Sequence, residues 1–323
     1  MIVTRKRLVG MLAIALVAAA ARVASQQLPL TDLTVRSFSV GEAPEAVVFD
    51  GAHLWVASQF TNTLTKISVA DLNVVRTFRI GNGPVGLAFD GTSIWVANLF
   101  DNTVMKVNPA DGSVAGTFAV GRGPAALAFD GTHIWVANRY SDDLTKLRAS
   151  DGARLGTFRV GERPTAVAVR DQQVWVVNNR SNTVTRLRAN DGTLVGISRV
   201  GTAPFDLAFA GDDVWVTNLY ESAVTKLRAS SGAVAGTVQV GHGPAGIAFD
   251  GVNIWVANNG SNSVTAVRPS TGAVLATVPV GKNPSGIAIS TTLGITRVWV
   301  AAFGSNNVTM IDPRKVALIG RAQ

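Results

Sequence analysis

The chain has 323 residues, of which 47% are hydrophobic and 15% charged, too apolar a balance for a disordered segment. It has no cysteine, which excludes disulfides, thiolate metal sites, iron–sulfur clusters and a cysteine nucleophile. Its three histidines, His53, His133 and His242, leave little for a histidine-rich metal centre, and its formal net charge is +8.

Residues 1–25 read as a secretory leader. Arg5, Lys6 and Arg7 form a basic start, and Leu8 to Ala21 is an uncharged apolar run. That run is shorter than the roughly 20 residues that span a bilayer. Val23-Ala24-Ser25 supplies the small residues that signal peptidase reads. Cleavage near Ser25–Gln26 leaves an extracytoplasmic protein, periplasmic or secreted; an uncleaved anchor is the alternative. Four of the 29 basic residues, Arg5, Lys6, Arg7 and Arg22, lie in this leader, so the formal +8 falls to +4 in the remainder. That is an ordinary soluble surface.

Residues 26–323 read as one domain built on an internal repeat. Gly41, Gly81, Gly121, Gly161, Gly201, Gly241 and Gly281 recur at a fixed interval, each followed three residues later by proline. Trp55, Trp95, Trp135, Trp175, Trp215 and Trp255 keep the same register, and Trp299 follows after a four-residue insertion near Ser290–Arg297. Each unit reads as four short strands. In the unit 81–120, Pro84 to Phe89 is an apolar strand, and Asp90-Gly91 is a hairpin signal. Ile94 to Asn98 is a β-branched and aromatic strand, and Leu99-Phe100-Asp101 is a loop. Thr103 to Val107 is a third strand, Asp111-Gly112 a second hairpin, and Val114 to Val120 a fourth strand.

This pattern predicts an all-β fold, a seven-bladed β-propeller of four-stranded antiparallel blades with the tryptophans buried between blades. Thr34 to Val40 matches the fourth-strand pattern and is expected to close the seventh blade. The tail Lys315 to Ala322 competes for that place.

Trp215-Val216-Thr217-Asn218 and its relatives Trp95-Val96-Ala97-Asn98, Trp135-Val136-Ala137-Asn138 and Trp255-Val256-Ala257-Asn258 resemble the tetrapeptide that names the YVTN family of propeller repeats. The resemblance covers all seven units and implies the propeller fold. Relatives of that type include extracytoplasmic binding propellers, surface-layer proteins, DNA-binding propellers, and neighbouring lactonase and streptogramin-lyase propellers, so the function it implies is broad. The lyase repeats resemble Trp-Phe-Thr-Glu. Here the last position holds Ser58, Asn98, Asn138, Asn178, Asn218, Asn258 and Ala302, with no acid, and no lyase residue is carried over.

Both hairpins of a blade lie at one end of its strands. The Gly-x-x-Pro connection and the loop after the second strand lie at the other, where function is expected. Phe60, Phe100, Arg139, Tyr140, Arg180 and Tyr220 fall on those loops, and Phe205 follows a connection proline. Together they are the ligand-binding candidates, because flat rings and arginines recognise partner side chains or sugars. The alternative is that the rings fold onto neighbouring loops. The asparagines that end the second strands are read as structural.

Asp206 stands where the other units have Ala or Gly, with Glu221 and His242 near it in the same loop region. These three are the candidate acid–base or divalent-ion residues, with a channel-facing structural Asp206 as the alternative. Lys66, Lys106, Lys146, Arg186 and Lys226 recur on the third strands, as do Arg148, Arg188, Arg228 and Arg268. They read as a partial basic belt, either a solvated edge or a polyanion surface. Gly-x-Ser-x-Gly, phosphate-loop and His-Glu-x-x-His motifs are absent. The reading is a monomeric, non-catalytic binding or scaffold propeller that engages a protein, peptide or envelope polymer at its loop face, with no cofactor, no metal and no membrane span after cleavage. A lyase- or lactonase-like enzyme is the alternative, and a nucleic-acid-binding propeller the third reading.

Overall fold

A computed structural model describes residues 35–314; the expected leader and the competing tail lie outside the described residues. Seven antiparallel four-stranded sheets follow one another around a channel. Blade one contains Pro44–Phe49, His53–Ser58, Thr63–Ser68 and Asn73–Arg79 from the channel outward. The next five blades repeat this order. Blade seven contains Pro284–Thr292, Ile295–Ala302 and Asn307–Ile311, and its outer strand is Arg36–Ser39 from the start of the domain. Phe38 pairs with Val308 in that closing ladder, and its ring packs on Trp299 with centroids 5.5 Å apart. The N-terminal segment therefore closes the ring, as its pattern predicts.

The strands alternate between apolar and small residues because both faces of each sheet are covered by neighbouring blades. All seven tryptophans are buried, and each packs on the second and third strands of the next blade. Trp55 meets Ile94, Val96 and Val107 of blade two, and Trp299 meets Leu54, Val56 and Ile67 of blade one. Seven such clusters make the core a ring of interfaces rather than one central mass.

The Asp of the first hairpin does more than favour a turn. In blades one, two, three and six its carboxylate accepts two turn amides and also the indole N–H of the tryptophan five residues on, as with Trp95 Nε1 to Asp90 at 2.7 Å. The four-residue insertion lengthens the first hairpin of blade seven, with Leu293 at its exposed tip, and Ser290 replaces the Asp as indole acceptor at 2.8 Å.

The expected basic belt is corrected by this packing. Trp95 pairs directly with Lys106 across the ladder, so Lys106 lies over the indole, 5.3 Å from its centroid, and donates to Ala149 O of the next blade at 2.7 Å. Lys66, Lys146, Arg186 and Lys226 repeat both contacts. These cations are inter-blade ties with little surface to offer a polyanion. Arg148, Arg188 and Arg228 are exposed but paired with Asp151, Asp191 and Asp213.

Candidate functional site

The loop end is rigidly framed. The residue four positions after the end of the second strand adopts positive φ and accepts a hydrogen bond from the next connection: Asn62 Oδ1 from Gly83 N at 2.9 Å, and Asn102 Oδ1 from Gly123 N at 2.8 Å. Asn306 does the same to Ala43 at 3.0 Å across the closure. The buried strand-ending asparagines bond within the blade: Asn178 Nδ2 donates to Thr183 and Thr185 at 3.1 and 2.8 Å, and its Oδ1 accepts Gly161 N of the connection at 3.1 Å.

The aromatic candidates both fold down and remain exposed. Phe100 lies over Gly83 and Tyr140 over Gly123, where any Cβ would collide with the ring. Both glycines also have positive φ, so the loop form and the ring position need the same residue. Phe60 packs edge-on against Phe303 with centroids 5.5 Å apart. Tyr220 is the most open of the four rings, 76% exposed, and Tyr140 is 50% exposed.

Four of the seven ligand-binding candidates meet in one place. Arg139, Tyr140, Arg180 and Tyr220 line a groove of about 730 Å³ across blades three to five, together with Glu162 and Arg163. Arg180 lies 3.5 Å from Glu162, both side chains well exposed. Phe60 and Phe100 lie outside this groove, and Phe205 turns inward instead.

Phe205 lines the channel, a cavity of about 270 Å³ whose wall also contains Glu45, Arg139 and Asp206. Glu45, Phe205 and Asp206 start inner strands, and Arg139 follows a second strand, so all four stand at the loop end. Arg139 belongs to both the groove and the channel and joins the two. Burial pushes the Glu45 carboxyl above its ordinary range, partly opposed by the positive charge of Arg139. Glu45 is charged where its column otherwise holds Val85, Ala125, Thr165, Phe205, Ala245 and Ser285. The comparison between units that singled out Asp206 would have found Glu45 had it been applied one position earlier.

Asp206 bridges two blades. Its Oδ1 accepts Leu207 N at 2.8 Å and its Oδ2 accepts Ile247 N of blade six at 3.1 Å. Part of its surface stays open to the channel, yet burial outweighs those bonds and pushes its pKa up to about 6. Thr217, where most sibling strands have Ala, accepts Asp206 N at 3.0 Å and donates to Ala245 O at 2.7 Å. The two irregular residues are one device.

Glu221 and His242 are not brought to Asp206. Glu221 Oε1 accepts Thr202 N at 2.7 Å. Asp101, Ser141, Ser181 and Ser305 hold the equivalent amides, so Glu221 fills a framework position whose column of oxygen-bearing side chains is visible in the repeat. His242 is exposed, with Nδ1 2.9 Å from Ser222 Oγ. The expectation that the trio shares an ion is corrected: among the described residues no group of three His, Cys, Asp or Glu side chains is placed to hold a metal. No helix among them is long and apolar enough to cross a membrane.

A family model described as PQQ_2, outer membrane protein assembly factor BamB, matches residues 100–312. No curated protein matches the chain in sequence. Among solved structures it is similar to a hydrazine synthase of Kuenenia stuttgartiensis, with TM-score 0.74 and 18% identity over 84% of this chain and 95% of that one. It is similar to a streptogramin B lyase, with TM-score 0.74 and 17% identity over 86% and 97%. It is also similar to U3-55K, with TM-score 0.76 and 11% identity over 86% and 98%. At such identities the likeness is one of fold alone.

Proposed function

The chain belongs to the PQQ_2 family, that of the outer membrane protein assembly factor BamB, and from this premise we propose that it is a binding or scaffold propeller that takes a protein or peptide segment in the groove of blades three to five. The observation that carries the reading is the convergence of Tyr140, Tyr220 and Arg180 on one groove set on a hydrogen-bonded loop frame. Exposed tyrosines on a rigid support supply contact area at small entropic cost, and arginine adds directional hydrogen bonds. Arg139, Arg163 and Arg180 face Asp142 and Glu162 in the same groove, a mixed lining suited to peptide backbone and charged side chains. A non-catalytic role accords with Asp206, whose two carboxylate oxygens are each taken by a backbone amide.

The leader-like residues 1–25 and the description of the family as an outer membrane assembly factor support an extracytoplasmic location. We further assign residues 26–323 to a single monomeric domain with a YVTN-type repeat, on Trp215-Val216-Thr217-Asn218 and its relatives. The test is selection from a random-peptide phage library on the exported protein. Enriched peptides are expected to lose about tenfold or more in affinity for the Tyr140→Ala/Tyr220→Ala variant. Failure to enrich any peptide, or undiminished binding to the variant, overturns the reading.

A further inference from the structure

The channel mouth contains charges that the fold itself leaves unmatched. Among the described residues Glu45 makes no side-chain hydrogen bond and no ion pair within 4.0 Å, although burial disfavours its ionised form. Opposite it in charge is Arg139, close enough to act on Glu45 through space but too far to pair with it. Arg139 Nε is itself shut off from solvent and has no hydrogen-bond partner. Glu45 is half-buried and opens on the cavity, whereas the shut-off Arg139 Nε is costly to leave without a partner.

The placement around the ring explains why the protein does not match them internally. Glu45 is on blade one, Arg139 on blade three and Asp206 on blade five, so one blade separates Arg139 from each carboxylate and two blades separate Asp206 from Glu45. The carboxylates face the guanidinium over space rather than along a strand ladder. Phe205, beside Asp206, adds an apolar ring to the same wall. The groups stand around one cavity of about 270 Å³, a size for a small molecule rather than a folded partner.

We propose that the channel mouth is a binding site for a free apolar or aromatic α-amino acid, its carboxylate held by Arg139, its ammonium by Glu45 and its side chain against Phe205. A zwitterion supplies an anion to the unpartnered guanidinium and a cation to the unpartnered carboxylate in one molecule, and it bridges a gap that a direct ion pair does not close. A simple amine or a simple carboxylate satisfies one side and leaves the other unmatched. Asp206, with both oxygens engaged by amides, lines the same cavity without being a direct partner. The site shares Arg139 with the groove but does not rest on peptide capture there.

Isothermal titration of the exported protein with L-phenylalanine and L-leucine tests it, with n-butylamine and butyrate as half-ligands. Both amino acids are expected to bind, and each half-ligand to bind about tenfold or more weakly. Glu45→Gln and Arg139→Gln are each expected to weaken L-phenylalanine binding by a similar factor. The half-ligand comparison uses the unaltered protein and stands even where a variant misfolds. Absence of amino-acid binding, equal binding of either half-ligand, or undiminished binding to folded Glu45→Gln and Arg139→Gln overturns the proposal. Peptide capture that persists while amino acids fail to bind overturns this proposal alone.

Discussion

The Asp206 carboxylate of blade five accepts a hydrogen bond from the Ile247 amide of blade six, 3.1 Å across the inner edge of the ring. The sibling units have Ala or Gly at this position, so blade five alone ties its inner strand to the next blade through a carboxylate. Burial raises the Asp206 pKa from 3.8 to about 6. Between those values the folded state holds a proton that the unfolded state has released, so this group's contribution to stability falls as pH rises from about 4 to 6 and levels off above. Asp50, Asp90 and Asp130, with lowered pKa, act in the opposite sense. The difference between wild type and Asp206→Asn isolates the Asp206 share. Urea midpoints from pH 4 to 7 are expected to show Asp206→Asn gaining on wild type by about 2 kcal/mol over this range.

Lys106 ties blade two to blade three through Ala149 O while lying over Trp95. Lys106→Met keeps the stem and removes the ammonium, leaving the carbonyl without this donor. The expected loss is about 2 kcal/mol in chemical denaturation. Arg148→Met, at an exposed pair with Asp151, is expected to change stability by less than about 0.5 kcal/mol.

Trp215 Nε1 is buried without a partner, because Ala210 stands where five of the other six blades have an Asp or Ser acceptor. Ala210→Ser copies the blade-seven solution, in which Ser290 accepts the Trp299 indole. A gain of about 1 kcal/mol is expected, read as a rise in melting temperature.

Phe38 holds the closing strand onto Trp299. Phe38→Ala is expected to cost about 3 kcal/mol. Because Arg36–Ser39 is the outer strand of blade seven among the described residues, deletion of residues 26–40 is expected to expose the blade and promote association between chains. Urea denaturation reads the stability loss, and size-exclusion chromatography with light scattering reads the association; a monomeric, equally stable deletion would show that the closing strand is dispensable.

Strand positions, hairpins, blade number and the closing role of Arg36–Ser39 are legible because they arise from short-range alternation and a fixed repeat, and Gly41, Pro44 and Trp55 stand for positions that recur in each of the seven blades. The same comparison between units marked Asp206 correctly as exceptional. It missed Glu45, which lay in the neighbouring column, and misread Glu221, whose column is uniformly oxygen-bearing. Lys106 looked like an edge residue because strand alternation does not reveal that a third strand is covered by the next blade.

What the sequence by itself determined is the blade: which residues pair, where the chain turns and how many units there are. Those choices are decided by contacts within about forty residues and by the burial of one tryptophan per unit. Only the closed ring decided that Glu45, Arg139 and Asp206 share a channel mouth and that Tyr140, Arg180 and Tyr220 share a groove. These residues come from different blades and have no sequence pattern in common. Their meeting depends on the rotation between blades and on which side of each strand faces the axis, and both are set by how seven sheets pack around a circle.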